Sequence, residues 1–186
     1  MKFKIVEYAE ASPEVKLIYD DTMKELNIPF VLNWFKCQGS NATLLNGNWE
    51  KLKSVLLRGN IPMVLKQLII YNISQKKGCD YCTQAHGIMA NSMSSAISDE
   101  QGFVLTENMN SGHIPSSYKS AIDIVTNAAI NPSEVTEKDF EELKDEGFSD
   151  DEIQELFAHA DLVNMLNTVA DISGIKLDNE LMEAEM

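Results

Sequence analysis

Positive charge is scarce in this chain. Its 186 residues carry 15 lysines and arginines against 29 aspartates and glutamates, a formal net charge of −14. A surface of that sign repels phosphate backbones and anionic lipid, which disfavours nucleic-acid and membrane-surface partners. The acidity itself is read as a solvated face that keeps the protein soluble. Five prolines and nine glycines leave little room for long linkers. Long alternating runs of β-branched residues are missing, which argues against a large sheet. No window approaches the roughly 20 apolar residues of a membrane span. Lys2 and Lys4 are followed by no sustained apolar stretch, so the N-terminus does not read as a secretory signal. The expected location is therefore the cytoplasm, where a lasting structural disulfide is unusual. Cysteine is also sparse. Two of the three cysteines stand as Cys-x-x-Cys, which points to redox chemistry or metal binding instead of a stapled scaffold.

What the sequence does contain is helical periodicity. An apolar fraction of 44% with 24% charged residues is ordinary for a globular chain. The chain is accordingly read as one all-α domain, residues 1–186. Ser12-Pro13-Glu14 has the form of a helix start, and Val15, Ile18, Tyr19, Thr22 and Leu26 follow at helical spacing until Asn27-Ile28-Pro29. Further helices are expected over residues 30–37 and 42–57, with Gly59 as a stop. Pro62 suits the first turn of the next helix, whose Val64, Leu65, Leu68, Ile69, Ile70 and Ile73 are apolar nearly all round and mark it as buried. Lys76 and Lys77 favour its C-terminal end, and Gly78 suits a left-handed cap. Ser98-Asp99-Glu100-Gln101 has capping-box form. Residues 118–129 read as a helix closed by Asn131-Pro132, and residues 136–146 as a short acidic one. Ser149-Asp150-Asp151-Glu152 opens a long amphipathic helix running to about Ala170. The tail, residues 177–186, is acidic and expected to fray. Met63, Met89, Met93 and Met165 are read as core or interface filler.

Cys79-Asp80-Tyr81-Cys82 follows Gly78 directly, so the thiol pair is expected at a junction between helices. Cys82 and His86 are four residues apart and share a helix face, with Cys79 three residues before Cys82. Thiolates, not thiols, are nucleophilic. A helix N-terminus, worth about half a positive charge, would favour ionisation of Cys79, and a protonated His86 would favour Cys82. One short segment thus offers a nucleophile, a resolving thiol and a proton carrier, the parts that reduce a peroxide or exchange a disulfide. The expectation is an exposed, charge-activated sulfur.

Other readings compete. Cys79, Cys82 and His86 could be three zinc ligands, with Cys37, His113 or His159 as a fourth, although no second ligand pair has finger-like spacing. Haem attachment needs a histidine directly after the second cysteine, where Thr83 stands. Two buried, inert thiols are a further reading. Cys37 beside Trp34 and Phe35 is read as core, His113 as a solvated loop residue and His159 as a partly buried packing residue.

The segment with Lys66-Gln67-Leu68-Ile69-Ile70 and then Gly78-Cys79-Asp80-Tyr81-Cys82-Thr83-Gln84-Ala85-His86 resembles the alkylhydroperoxidase D-like group of the carboxymuconolactone decarboxylase superfamily. Members carry Glu-(11 residues)-Cys-x-x-Cys-x-x-x-His in that frame. Residues 29–60 look like the lead-in helices of the peroxidase-related branch, and Leu166-Asn167-Thr168-Val169-Ala170-Asp171 resembles a late family helix with a recurrent asparagine. The resemblance implies an oligomeric all-helical bundle. It also implies reduction of hydroperoxides with no cofactor beyond the redox-active dithiol, electrons coming from a partner reductase or dithiol protein. In that scheme Cys82 is the peroxidatic thiol, Cys79 resolves the sulfenic acid, and His86 relays the proton. The cysteine pair argues against lactone decarboxylation, since the decarboxylase branch lacks it. Gln67 holds the position of the family glutamate. It can orient the imidazole but cannot exchange a proton at neutral pH. The expectation is therefore a slow peroxidase or a disulfide reductase, the alternative being a non-catalytic oligomeric interaction protein with a degenerate redox site.

Overall fold

The computed structural model of the chain describes residues 2–183, and among these there is no strand. Ser12 caps helix α1 (Pro13–Leu26) by accepting the Val15 N–H at 3.3 Å, and Pro13 occupies the first helical position. Asn27 closes it in the left-handed conformation, φ 54°. The helix expected over residues 30–37 is shorter, α2 (Asn33–Lys36). Residues 31 and 32 are not helical: both are buried, Leu32 is extended, and the N–H of Asn33 finds its acceptor in the distant Asp178 carboxylate. Asn41 caps α3 (Ala42–Leu56) by accepting from Leu44 N at 3.0 Å.

Pro62 stands just ahead of α4 (Met63–Lys77), not within its first turn. This helix is the centre of the molecule. Val64, Leu65, Leu68, Ile69, Ile70 and Ile73 are buried around its whole circumference. It packs on α5 (Asp80–Asn91), α6 (Ser116–Ile130) and α8 (Asp150–Ser173). Its few buried polar side chains are paired across those packings. Ser74 donates to Asn167 on α8 at 2.9 Å, and Asn72, part-buried, donates to Thr126 on α6 at 2.9 Å.

The capping-box pattern at Ser98 starts no helix. Ser98 Oγ accepts only the Glu100 N–H, and Gly102 then turns at φ 78°. Residues 92–115 instead form an irregular excursion with two short 3₁₀ turns, braced where Asn91 exchanges hydrogen bonds with Thr106. The later boxes do work: Thr136 with Asp139 opens α7 (Glu137–Asp145), and Ser149 with Glu152 opens α8. The tail is a correction to the expected fraying. Asp178 and Leu181 are buried, and α9 (Asn179–Glu183) folds back on the bundle; residues 184–186 lie outside the described part. Among the described residues, no helix is long and apolar enough to cross a membrane.

A buried ion pair ties the turn before α4 to α8. Lys66, 2% exposed, reaches Glu155 at 2.5 Å and donates to the carbonyls of Val55 (3.1 Å) and Arg58. Glu155 also accepts the N–H groups of Asn60 and Ile61 and presses on Gly59, whose φ of 90° and lack of Cβ make room for the carboxylate. These contacts hold the Glu155 carboxyl below its ordinary pKa against the desolvation that raises it. Removing the ammonium strands a largely buried carboxylate, so Lys66→Met is expected to cost about 3 kcal/mol in urea unfolding. Adding Glu155→Gln to that variant should restore part of the loss, because a neutral amide oxygen still accepts the Asn60 N–H.

Candidate active site

Gly78, at φ 73°, ends α4 with paired bonds from its own N–H to Gln75 O (3.2 Å) and from Cys79 N to Ser74 O (3.0 Å). No loop intervenes before α5. Cys79 is the N-cap of that helix, in an extended conformation, and Cys82 is its third residue. The helix therefore returns along α4, and the inner face of α5 meets the residues of α4 across the hairpin. That brings His86 onto Gln67, with Nδ1 and Oε1 2.7 Å apart. An amide oxygen only accepts, so Nδ1 carries the proton and Nε2 is left as the basic nitrogen. Gln67 is itself buried, its Nε2 3.5 Å from Met63 Sδ.

The expected exposed, activated sulfur is not what folds. Cys79 and Cys82, both free thiols, are 0% and 1% exposed. The Cys82 thiol is pushed well above its ordinary pKa, first by its hydrogen bond with Cys79, then by burial, then by the charges of Cys79 and Asp171. Desolvation also lowers the His86 imidazole to about 4, so it is neutral at pH 7 and offers no positive charge to a thiolate. Sequence spacing could place the helix end and the ring beside the thiols. It could not show that α4 and α8 exclude water from them.

Cys82, His86 and Gln67 line one cavity of about 360 Å³. Its other walls are almost wholly apolar, including Trp34 and Phe35 from α2, Leu52 and Leu56 from α3, and Met89 and Met93. The methionines read as filler thus serve in part as cavity lining. Cys79 does not reach the cavity wall, so it stands behind Cys82 as seen from within. The aromatic wall is anchored to α8: Trp34 and Phe35 meet edge to face at 5.2 Å, and the Trp34 indole N–H donates to Leu166 O at 3.1 Å.

The remaining candidates lie apart. Cys37 is buried in the core, its Sγ 3.2 Å from Trp34 O and its thiol pKa raised by burial. His113 is in the excursion, its ring against Phe103 and 3.6 Å from Glu100. His159 is fully buried, more so than expected; its Nδ1–H donates to Glu155 O at 2.7 Å and desolvation lowers it to about 4. Among the described residues, no three His, Cys, Asp or Glu side chains gather as a metal site. Sequence reasoning missed Tyr81 and Asp178. Tyr81, inside the Cys-x-x-Cys, donates its O–H to Asp178 at 2.8 Å, and burial raises the pKa of both. The only local signal was a pair of leucines, Leu177 and Leu181, at helical spacing in an acidic tail.

The chain has the alkylhydroperoxidase D-like fold. Among solved structures, it is similar to an alkylhydroperoxidase AhpD core, a peroxidase-related protein from Ralstonia eutropha JMP134, with a TM-score of 0.83, 19% identity and coverage of 100% of this chain and 96% of the other. A peroxidase-related protein from Silicibacter sp. TM1040 gives 0.80 with 22% identity, covering 100% and 99%. The debrominase Bmp8 gives 0.73 with 19% identity, covering 93% and 90%, and has also been solved in complex with 2,3,4-tribromopyrrole. No protein-family model matches the chain, and no curated protein matches it.

The histidine–glutamine pair yields a direct measurement. In NMR titration, the His86 ring should stay neutral until the pH approaches about 4. In Gln67→Glu, a carboxylate against Nδ1 should raise that midpoint by about one to three units.

Proposed function

We propose that the protein is a thiol-dependent oxidoreductase that reduces organic hydroperoxides, with Cys82 as the attacking thiol, Cys79 as the resolving thiol and His86 as the proton carrier. The observation that carries this reading is the order of the groups: Cys82 on the wall of an apolar cavity, Cys79 behind it and His86 beside it, its tautomer set by Gln67. Cys82 sulfur attacks the terminal oxygen of the hydroperoxide, the O–O bond breaks, and the alcohol leaves with the thiol proton passed through His86 Nε2. Cys82 is then a sulfenic acid. Cys79 sulfur displaces its hydroxyl as water and an intramolecular disulfide forms. An external dithiol or reductase restores both thiols while being oxidised itself. The dithiol is the only redox group this scheme needs. We place this chemistry in the cytoplasm, in a homo-oligomer.

Gln67 makes the relay slow. The imidazole is neutral and its basicity is weak, so the buried thiol is deprotonated against a gradient. The pH dependence follows. Handing the thiol proton to a neutral imidazole exchanges none with solvent, so with Cys82 protonated and His86 unprotonated throughout, the rate constant for oxidation by cumene hydroperoxide should stay flat between pH 6 and 8. A rise of about tenfold per unit would instead mean that the thiol loses its proton to solvent, with no part for His86. Gln67→Glu should speed the reaction at pH 7 by strengthening the base.

The same dithiol and cavity support a second reading, reductive dehalogenation, in which a carbon–halogen bond is replaced by carbon–hydrogen, halide leaves and the dithiol becomes a disulfide. The aromatic lining of Trp34 and Phe35 favours including it. Parallel assays with cumene hydroperoxide and a bromopyrrole separate the two. In either case Cys82→Ser should abolish turnover with dithiothreitol. Cys79→Ser should stop after one peroxide and leave a dimedone-reactive sulfenic acid. A Cys82→Ser protein that still consumed peroxide would remove the assignment, and an inactive wild-type would leave an interaction protein on this scaffold.

A further inference from the structure

The cavity over Cys82 is closed on one side by the end of the described chain. Leu181 of α9 lines it together with Tyr81, Cys82 and Leu166. Helix α9 has five residues and α2, which supplies Trp34 and Phe35, has four. Helices this short have no stability of their own in water, so their positions depend on tertiary bonds. One side chain supplies bonds to both regions. Asp178, 1% exposed, immediately precedes α9, accepts the N–H of Asn33 at the start of α2 at 2.7 Å, and accepts the Tyr81 O–H at 2.8 Å. Asn33 returns a bond to the segment of residues 176–183, the strap over the cavity, its Nδ2 donating to Lys176 O at 3.1 Å. Tyr81 lies between the two cysteines in sequence, so the same carboxylate also holds the first turn of α5. If Asp178 let go, a buried hydroxyl and a part-buried N–H would lose their acceptor together.

We propose that Asp178 is a positioning residue that seats Leu181 on the cavity, and that Leu181 sets the size of the molecule able to reach Cys82. Deepening the functional reading above, this assignment rests on the cavity being where substrate meets the thiol. The remaining walls belong mainly to longer helices packed into the core, α3, α4, α5 and α8. The strap is the wall whose removal leaves that core in place. A narrow wall admits compact hydroperoxides; a displaced one admits bulky ones.

The test reads access to the sulfur and needs no turnover. Reduced full-length protein is treated with a small reagent, methyl methanethiosulfonate, or a bulky apolar one, N-(1-pyrenyl)maleimide, and labelling of each cysteine is followed by peptide mass spectrometry. Leu181→Ala should speed pyrenylmaleimide labelling of Cys82 by about tenfold or more, while changing the rate of the small reagent by less than about twofold. Asp178→Ala should do the same, and Asp178→Asn, whose amide oxygen still accepts one bond, should fall between it and wild type. Cys37, buried and away from the cavity, is the internal control. Equal acceleration of both reagents at Cys37 and Cys82 would mean general loosening and would overturn the proposal, as would an unchanged pyrenylmaleimide rate. If the Asp178 variants do not fold, Leu181→Ala decides alone. Absence of any peroxidase or debrominase activity would count against the proposed function, and the labelling rates would still decide the role of the strap.

Discussion

Gly78 is the constraint on which the site depends. A left-handed residue at the end of α4, followed at once by the N-cap of α5, makes the two helices antiparallel neighbours with no slack between them. Cys79, Cys82 and His86 then occupy successive positions from the turn inward, and Gln67 on α4 arrives opposite His86. A side chain at Gly78 would meet no obstacle from the rest of the fold, since beyond the adjoining residues nothing lies within 4 Å of where a Cβ would stand; the cost would come from the backbone conformation itself. The requirement at this turn is therefore on φ and not on space. A longer connection would leave the same residues in the chain and remove their mutual geometry.

The second governing feature is dryness. α4 buries apolar residues around its circumference, and each of its buried polar side chains is engaged: Lys66 with Glu155, Gln67 with His86, Ser74 with Asn167. The water excluded to make this core is also excluded from the thiols. Burial acts on the two titrating groups in the senses expected of it, raising the acid Cys82 and lowering the base His86, so each is held in its neutral form. A carboxylate at position 67 would have opposed this for the histidine. The glutamine keeps the orienting hydrogen bond and gives up the charge, which separates positioning from proton transfer within one residue.

Much of the helical framework was legible in the residues themselves. Ser12-Pro13, Ser149 with Glu152, and Gly78 are local signals, and each acts through bonds made within five residues, so no knowledge of the rest of the fold is needed to interpret them. The failures share a cause. At Ser98 the pattern was right, but the following Gly102 took a left-handed turn and no helix grew. Residues 30–32 were read as helical, yet Val31 and Leu32 are buried outside any helix and α2 begins on a carboxylate 145 residues away. The acidic tail looked solvated because its charges dominate its composition, while the one acid that mattered, Asp178, is buried against Tyr81 and Asn33.

The candidate site groups were thus legible in the sequence alone: a Cys-x-x-Cys followed by a histidine one turn on, at a helix junction, with glutamine at the partner position. These depend on spacing along one hairpin, which a 3.6-residue period and one glycine suffice to set. What those groups can do was decided only by the tertiary structure. Whether a thiol is exposed or buried, whether an imidazole is charged or neutral, and which distant segment closes the cavity all depend on water being excluded by helices far apart in sequence. Desolvation is a property of the assembled core, and no local pattern encodes it.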